Sequence, residues 1–408
     1  MKYVFLTNSI GGYSGGPNYI RRKLLFLRDN GWTVLVFDCT GFGNIEIQIE
    51  ELKEFEKNRF KELFFNPYWI RKARREKVIA AILDEIGVDD EVVIESNTVA
   101  LSIWGEIIAS RVGAKHIVYL LSERLSITHS SLYQYYKYKS IRGELFSISP
   151  KAYKNLMERF ENICDEDAEQ HYWSAAISVP IEDVPCREMD NISKAVFNIG
   201  HFGREKGYFR YMFEQLSIFA KRHLSESINV IMLGVSDVPV AWRNLLPDNV
   251  NLTLLASRQP IPKIFYNHCD VIIATAGCAN MSFRYGAKVI SMDVYNSVPL
   301  GVLGYDTRDR NLRSNNNHYN MSLEETLEKV LVNREYECHP KLEIPYSGKG
   351  LKYQVTFLAK ADKNYYNVRN IEMTNRKAYS LATRVLLYFN MIDLCTKIRY
   401  KKAGKNKH

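Results

Sequence analysis

Five short apolar runs in each half of this chain constrain its fold more than any other feature. In the first half they are "KYVFLT" (2–7), "TVLVFD" (33–38), "EVVIE" (91–95), "HIVYLL" (116–121) and "ELFSIS" (144–149). Runs that are apolar throughout, without alternation, read as parallel strands covered on both faces. Between the first two, "PNYIRRKLLFLRDNG" puts Ile20, Leu24 and Leu27 on one helical face, with Arg21, Lys23 and Arg28 pointing elsewhere. Pro17 suits the first helical turn and Gly31 the helix end. The rhythm then breaks in "SAAISVPIEDVPCREMDNISK" (174–194), which reads as a linker. A second series follows: "AVFNIG" (195–200), "INVIML" (228–233), "NLTLL" (251–255), "DVIIAT" (270–275) and "KVISMD" (288–293). Strands alternating with helices twice over predict an α/β fold, with two Rossmann-like domains facing a cleft. The expected boundaries are 1–175, a linker at 176–194, 195–360, and a C-terminal helical segment with a basic tail at 361–408.

A length of 408 residues exceeds one ordinary core, in keeping with two domains. No stretch of 18 apolar residues is present to span a bilayer, and "MKYVFLTNSIGG" lacks a leader-peptide pattern, so a cytoplasmic location is expected. The seven cysteines form no CxxC pair, so neither a zinc site nor a disulfide framework is expected. Net charge is +9, and the last twelve residues, "KIRYKKAGKNKH", carry six Lys or Arg and no acid. They continue "KAYSLATRVLLYFNMIDLCTKIRYKK" (377–402), where Leu381, Val385, Tyr388, Ile392, Cys395 and Ile398 recur at helical spacing. This amphipathic helix either packs on the protein itself or lies on an anionic membrane surface. No recognised module frames nucleic-acid binding, and none is expected.

The stretch "GGYSGGPNYI" (11–20) places four glycines between the first strand and the first helix. Backbone N–H groups and a helix N-terminus make an anion-binding geometry, with Gly15 and Gly16 closest to the helix; a purely structural tight turn is the alternative. It is no P-loop, since no Lys follows, and the G-x-G-x-x-G spacing is absent. Asp38, at the end of the second strand, keeps a nicotinamide-dependent oxidoreductase open as another reading. Asp165-Glu166-Asp167 imitates a metal motif but reads as a solvated helix face, and no metal site is expected. "SLYQYYKYKS" (131–140) interleaves Tyr with Lys, suiting sugar stacking, lipid headgroups or a partly exposed helix.

In the second half, "FNIGHFGREKGYFRYMFEQL" (197–216) ends a strand with glycine and then presents Arg204, Lys206 and Gly207 before a helix. This stretch resembles the start of the C-terminal domain in GT-B-fold glycosyltransferases of the broad family 4, or group 1, type. "GGYSGGPNYIRRKLLFLRDNGWTVLVF", "ELFSISPKAYKNLM" and "IFYNHCDVIIATAGCANMSFRYGAKVISMD" (264–293) are similar to other parts of that family in the same order. The resemblance implies a GT-B fold, a nucleotide-sugar donor and a glycan or lipid-linked acceptor, in surface polysaccharide synthesis. It also implies that the first domain takes the acceptor and the second the donor, with no separate cofactor.

In that family an Arg and a Lys grip the donor diphosphate. Lys206-Gly207 matches in place, while the Arg position falls on His201, with Arg204 close by. The family's paired glutamates are missing from "IATAGCANMS" (273–282). In their place Thr275, Gly277 and Asn280 form a small turn of the kind that holds a β-phosphate through backbone N–H groups. Asp293 is a candidate for the nucleotide ribose. Glu123 is the candidate general base, with Glu95 in reserve. The missing glutamates keep open a GT-B protein that binds glycan or a partner without catalysis.

Overall fold

The computed structural model describes residues 1–8, 10, 15–39, 59–87, 91–122, 125–174, 181–258, 260–310, 314, 318–343, 350–358, 363–372 and 377–397. The chain divides into two compact units, Met1–Ile177 with Ser347–His408, and Ser178–Tyr346.

The first unit is built on five parallel strands, β1 (Lys2–Thr7), β2 (Thr33–Asp38), β3 (Val92–Ser96), β4 (Lys115–Leu120) and β5 (Leu145–Ser147). They lie in the order β2-β1-β3-β4-β5. Alternate residues of β1 enter opposite cores: Val4 and Leu6 join one apolar cluster, Tyr3 and Phe5 another. Both faces are therefore covered, which is why the run is apolar throughout. The Gly15–Asp29 helix follows β1 and buries Ile20, Leu24 and Leu27 as its spacing predicts. It also buries Arg21 and Lys23, which were expected to point away, because each finds polar partners inside the unit.

The second unit carries β7 (Phe197–Phe202), β8 (Ile228–Leu233), β9 (Val250–Leu255), β11 (Val271–Ala274), β12 (Val289–Asp293) and β13 (Val298–Val302) in the order β13-β12-β11-β7-β8-β9. All pair in parallel except β13, an antiparallel edge strand that the sequence reading left out. Its run "VPLGV" contains a proline, tolerated at an edge, and Gly301 at φ +109°. A two-stranded ribbon pairs β6 (Ile181–Glu182) with β10 (Ile261–Pro262).

That ribbon corrects the linker reading. Cys186 and Met189 are buried against Ile231, Leu233 and Phe265, so this stretch of the supposed linker packs on the second unit. The C-terminal boundary moves as well. The Leu351–Leu358 helix, expected at the end of the second domain, groups with the first unit. There Leu351 joins the cluster of Tyr3 and Phe5, and Val368 and Ile371 pack beside Tyr135 and Tyr136.

The Lys377–Tyr388 helix does not continue as one amphipathic rod. It stops at a turn where Asn390 takes φ +62°. Its expected stripe is divided: Leu381, Val385 and Tyr388 are exposed, whereas Ile392 and Cys395 are buried together with Leu387. Ile398 lies outside the described residues. Among the described residues no helix is long and apolar enough to cross a membrane.

Candidate functional site

In an open parallel sheet, ligands collect at the carboxyl ends of the strands where the order reverses. In the second unit that point falls between β7 and β11, the neighbours that lead away in opposite directions. Two segments leave the sheet there. The loop after β7 carries Gly203, Arg204, Lys206 and Gly207, and the segment after β11 is Thr275 followed by the Ala276–Arg284 helix.

Two observations show these segments meeting, and a third shows what fixes the loop. A Cβ on Gly203 would stand 3.4 Å from Cys278 Sγ in the helix's first turn. The thiol itself is pushed up to about 11 by burial, against the pull of the Lys206 and Arg204 charges. Gly203 takes φ +130°, and the loop after β8 closes over it so tightly that a Cβ on Gly234 would lie 2.8 Å from Gly203 O. Only glycines allow that approach, which fixes the position of the cationic loop. Arg204 and Gly207 are exposed and Lys206 half-buried.

The helix start is unusual in two ways. Ala276 sits at φ +50°, a conformation non-glycine residues seldom adopt. Thr275 occupies the N-cap yet makes no capping bond; its Oγ1 is buried with no hydrogen-bond partner. Ala276 N–H donates to Arg310 O, while the N–H groups of Gly277 and Cys278 fall in the turn where a helix offers no acceptor of its own. Gly277 is exposed, with open space where a Cβ would be, and Asn280 is half-buried. Two cationic side chains, a helix N-terminus and an unsatisfied buried hydroxyl thus gather at one sheet edge, an arrangement suited to a phosphate group.

Two expected contributors are turned inward. His201, within β7, is buried with Nε2 at 3.0 Å from Gly203 O, and burial lowers its pKa to about 4. It supports the glycine loop as a neutral imidazole and presents no charge. Asp293 ends β12 fully buried. Its carboxylate accepts from Tyr295 N, Asn296 N, Asn296 Nδ2 and Ser314 N, so it ties down the turn after β12 and has no oxygen left for a ribose.

In the first unit the order reverses between β1 and β3. Glu95, the reserve base, is completely buried there. Its carboxylate accepts from Lys23 Nζ at 2.7 Å, Tyr3 OH at 2.5 Å, Tyr19 OH at 3.0 Å and Asn97 Nδ2 at 2.9 Å. Gln354 closes the network, accepting from Lys23 Nζ and donating to Ser174 O. A carboxylate held by three neutral donors and an ammonium is part of a core ion pair, so Glu95 does not face an open site. Glu123 lies outside the described residues.

Asn97 is the residue the sequence reading missed. Its Nδ2 is committed to Glu95 Oε1 and Tyr119 O, which leaves Oδ1 buried without a partner. It lines a cavity of about 180 Å³ with Asn8, Phe64, Thr98, Leu120 and Ser122, at the carboxyl ends of β1, β3 and β4. Gly15 and Gly16 begin the helix after β1. A Cβ on Gly16 would only touch Leu121 Cδ1 at 3.7 Å, so no steric need for glycine exists there. Gly11 and Gly12 lie outside the described residues.

A Ser–His–Glu array in the same unit imitates a hydrolase. Ser96 Oγ lies 2.9 Å from His116 Nε2, and His116 Nδ1 lies 2.6 Å from Glu106 Oε2. All three are buried, and a Cβ on Gly105 would stand 2.3 Å from Ser96 Oγ, so no substrate reaches the hydroxyl. Lys139, from the Tyr-Lys stretch, pairs with Glu106 and Glu144, and Tyr135 and Tyr136 are core residues. Asp165, Glu166 and Asp167 form the exposed first turn of a short helix. Among the described residues no group of three His, Cys, Asp or Glu is placed to hold a metal.

No protein-family model matches the chain, and no curated protein does. Solved structures do. A glycosyltransferase from Rickettsia africae ESF-5 aligns over 100% of both chains at 14% identity, with a TM-score of 0.53. The catalytic domain of starch synthase IV from Arabidopsis thaliana, bound to ADP and acarbose, covers 96% of this chain and 99% of its own at 11% identity and TM-score 0.48. UDP-GlcNAc 2-epimerase from Neisseria meningitidis, bound to UDP-GlcNAc, covers 88% and 100% at 15% identity and TM-score 0.45. The chain has a GT-B glycosyltransferase-like fold.

Proposed function

We propose that the protein transfers a sugar from a nucleoside-diphosphate sugar to a hydroxyl of a glycan or lipid-linked acceptor, in the building of a surface polysaccharide. Because epimerases share the fold, the fold alone does not choose the reaction. The observation that carries the proposal is the cradle at the β7/β11 edge: Arg204, Lys206, the Ala276–Arg284 helix start and the unsatisfied Thr275 hydroxyl.

In such a transfer the acceptor oxygen forms a bond to the anomeric carbon as the bond from that carbon to the diphosphate oxygen breaks. The electron pair leaves with the nucleoside diphosphate. Fixed donors and cations at the cradle stabilise that growing charge without reorganising. Because Glu95 is sequestered, we assign the acceptor's proton to Glu123, on the segment after β4. Asn97 Oδ1 and the cavity beside it suit an acceptor hydroxyl, since a buried carbonyl oxygen with no partner gains most from a donor. The donor is the only nucleotide the proposal needs, and neither a further cofactor nor nucleic acid enters it. A lipid-linked acceptor sets the reaction at the cytoplasmic face of a membrane.

The test is calorimetric titration of UDP, GDP, ADP and NAD into the wild type, Lys206→Ala and Thr275→Val, with and without divalent metal. One nucleoside diphosphate is expected to bind, about 10- to 100-fold more weakly to Lys206→Ala, the range for losing a charged hydrogen bond. NAD binding indifferent to both substitutions would replace the proposal with the oxidoreductase reading.

A further inference from the structure

The Lys377–Tyr388 helix is apolar on two faces. One face supplies Leu387 to the core of the first unit, and the following turn adds Ile392 and Cys395. The other holds Leu381, Val385 and Tyr388 in one stripe at i, i+4 and i+7, exposed by 65%, 48% and 61%. Phe389, 69% exposed, stands beside Tyr388 with ring centroids 5.5 Å apart, and Met391 and Leu394 in the residues that follow are exposed as well. Folding of the first unit does not require this second face. Clustered exposed apolar residues of this kind mark an interaction surface.

We propose that this outer face docks on the surface of an anionic lipid bilayer, lying in the headgroup region without spanning it. Charge selects that partner. The one acid within the patch, Asp393, pairs with Lys61 at 2.6 Å, and Lys397 and Arg74 also act on it electrostatically. Residues 397–408 add six Lys or Arg and no acid. Apolar side chains flanked by a basic cluster supply the two signals that stable membrane attachment needs. A second copy of the chain fits worse, because a two-fold contact through this patch would bring the same positive cluster onto itself. This inference is independent of the donor chemistry.

The experiment is sedimentation of the full chain with vesicles of phosphatidylcholine alone or mixed in equal parts with phosphatidylglycerol. Binding is expected only to the mixed vesicles, and it weakens with salt. Tyr388→Glu with Phe389→Glu should reduce partitioning at least ~10-fold, since both charges would have to leave water. Removing residues 398–408 should cost about fivefold for each basic residue that had reached the lipid surface. Both variants are expected to keep the thermal unfolding and nucleotide affinity of the parent, because Tyr388 and Phe389 are exposed and all the altered residues belong to the first unit.

Failure of a folded chain to bind mixed vesicles would overturn the proposal. So would binding that depends on the tail but ignores the two glutamates, or dimers that those glutamates dissolve. Nucleotide affinity measured on the same sample keeps a failure here distinct from a failure of the transferase reading.

Discussion

Glu95→Gln is the most informative single substitution, because it removes one charge of a sealed pair and little else. Lys23 and Glu95 are both fully buried, with Nζ 2.7 Å from Oε2. Burial pulls the Lys23 amine below its ordinary pKa, and the Glu95 carboxylate pulls it back up. Without that carboxylate the ammonium is left stranded, a situation that costs about 3–5 kcal/mol in measured cases. The amine can instead shed its proton. From an ordinary pKa of about 10.4 to pH 7 that costs roughly 4.6 kcal/mol, which caps the loss.

The cap gives the substitution a pH signature. In the variant the folded state gives up the Lys23 proton at a lower pH than the unfolded state does, so stability rises with pH. Between pH 7 and pH 9 about 1–3 kcal/mol should return, a steeper recovery than the wild type shows. Urea unfolding followed by tryptophan fluorescence reports the right unit, since Trp32, Trp69, Trp104 and Trp173 lie in the first and only Trp242 in the second. Lys23→Met combined with Glu95→Gln should recover most of the loss, because no unpaired charge remains. A single-variant cost under ~1 kcal/mol, or a double variant no more stable than the single, would refute the reasoning.

Three further outcomes follow from the second unit and the buried histidines. Gly234→Ala, at φ +99° with its new Cβ 2.8 Å from Gly203 O, should destabilise the second unit by about 2–3 kcal/mol and weaken nucleotide binding. Gly277→Ala meets nothing within 4 Å, so it should leave stability intact and lower affinity only if phosphate approaches that backbone; equal stability loss in both variants would contradict the geometry. Burial, with a smaller push from nearby lysine charge, brings His116 in the first unit and His201 in the second each to about 4. Their unfolded forms take up a proton near pH 6.5, so stability is lost as pH falls from there towards 4. The loss should be about 3 kcal/mol per histidine. Urea midpoints that stay flat over that window would show these rings are not buried neutral.

The parallel strands of both sheets were legible because a strand covered on both faces has to be apolar along its whole length, as in "KYVFLT" and "INVIML", whereas the antiparallel edge strand β13 gave no such run. The order of glycine, Arg204 and Lys206 before a helix was legible for a similar reason, since loop and helix termini carry local signatures. Position in the fold was not. Lys23 and Glu95 read as a surface cation and a strand-end acid, and only the sheet order β2-β1-β3 brings them together. Gln354 reaches them from over three hundred residues along the chain. Asn97 looked like one polar residue among many until Glu95 and Tyr119 had claimed its amide nitrogen.

Local sequence thus determined which segments are strands and helices, and which loop carries the cationic residues, because those choices rest on neighbours a few positions away. Tertiary structure alone decided which polar groups are satisfied and which are left without a partner. Hydrogen-bond partners and burial come from residues far apart in sequence, and no spacing rule records them. The same charged side chain is a core strut at Lys23 and a solvent-facing cation at Arg204.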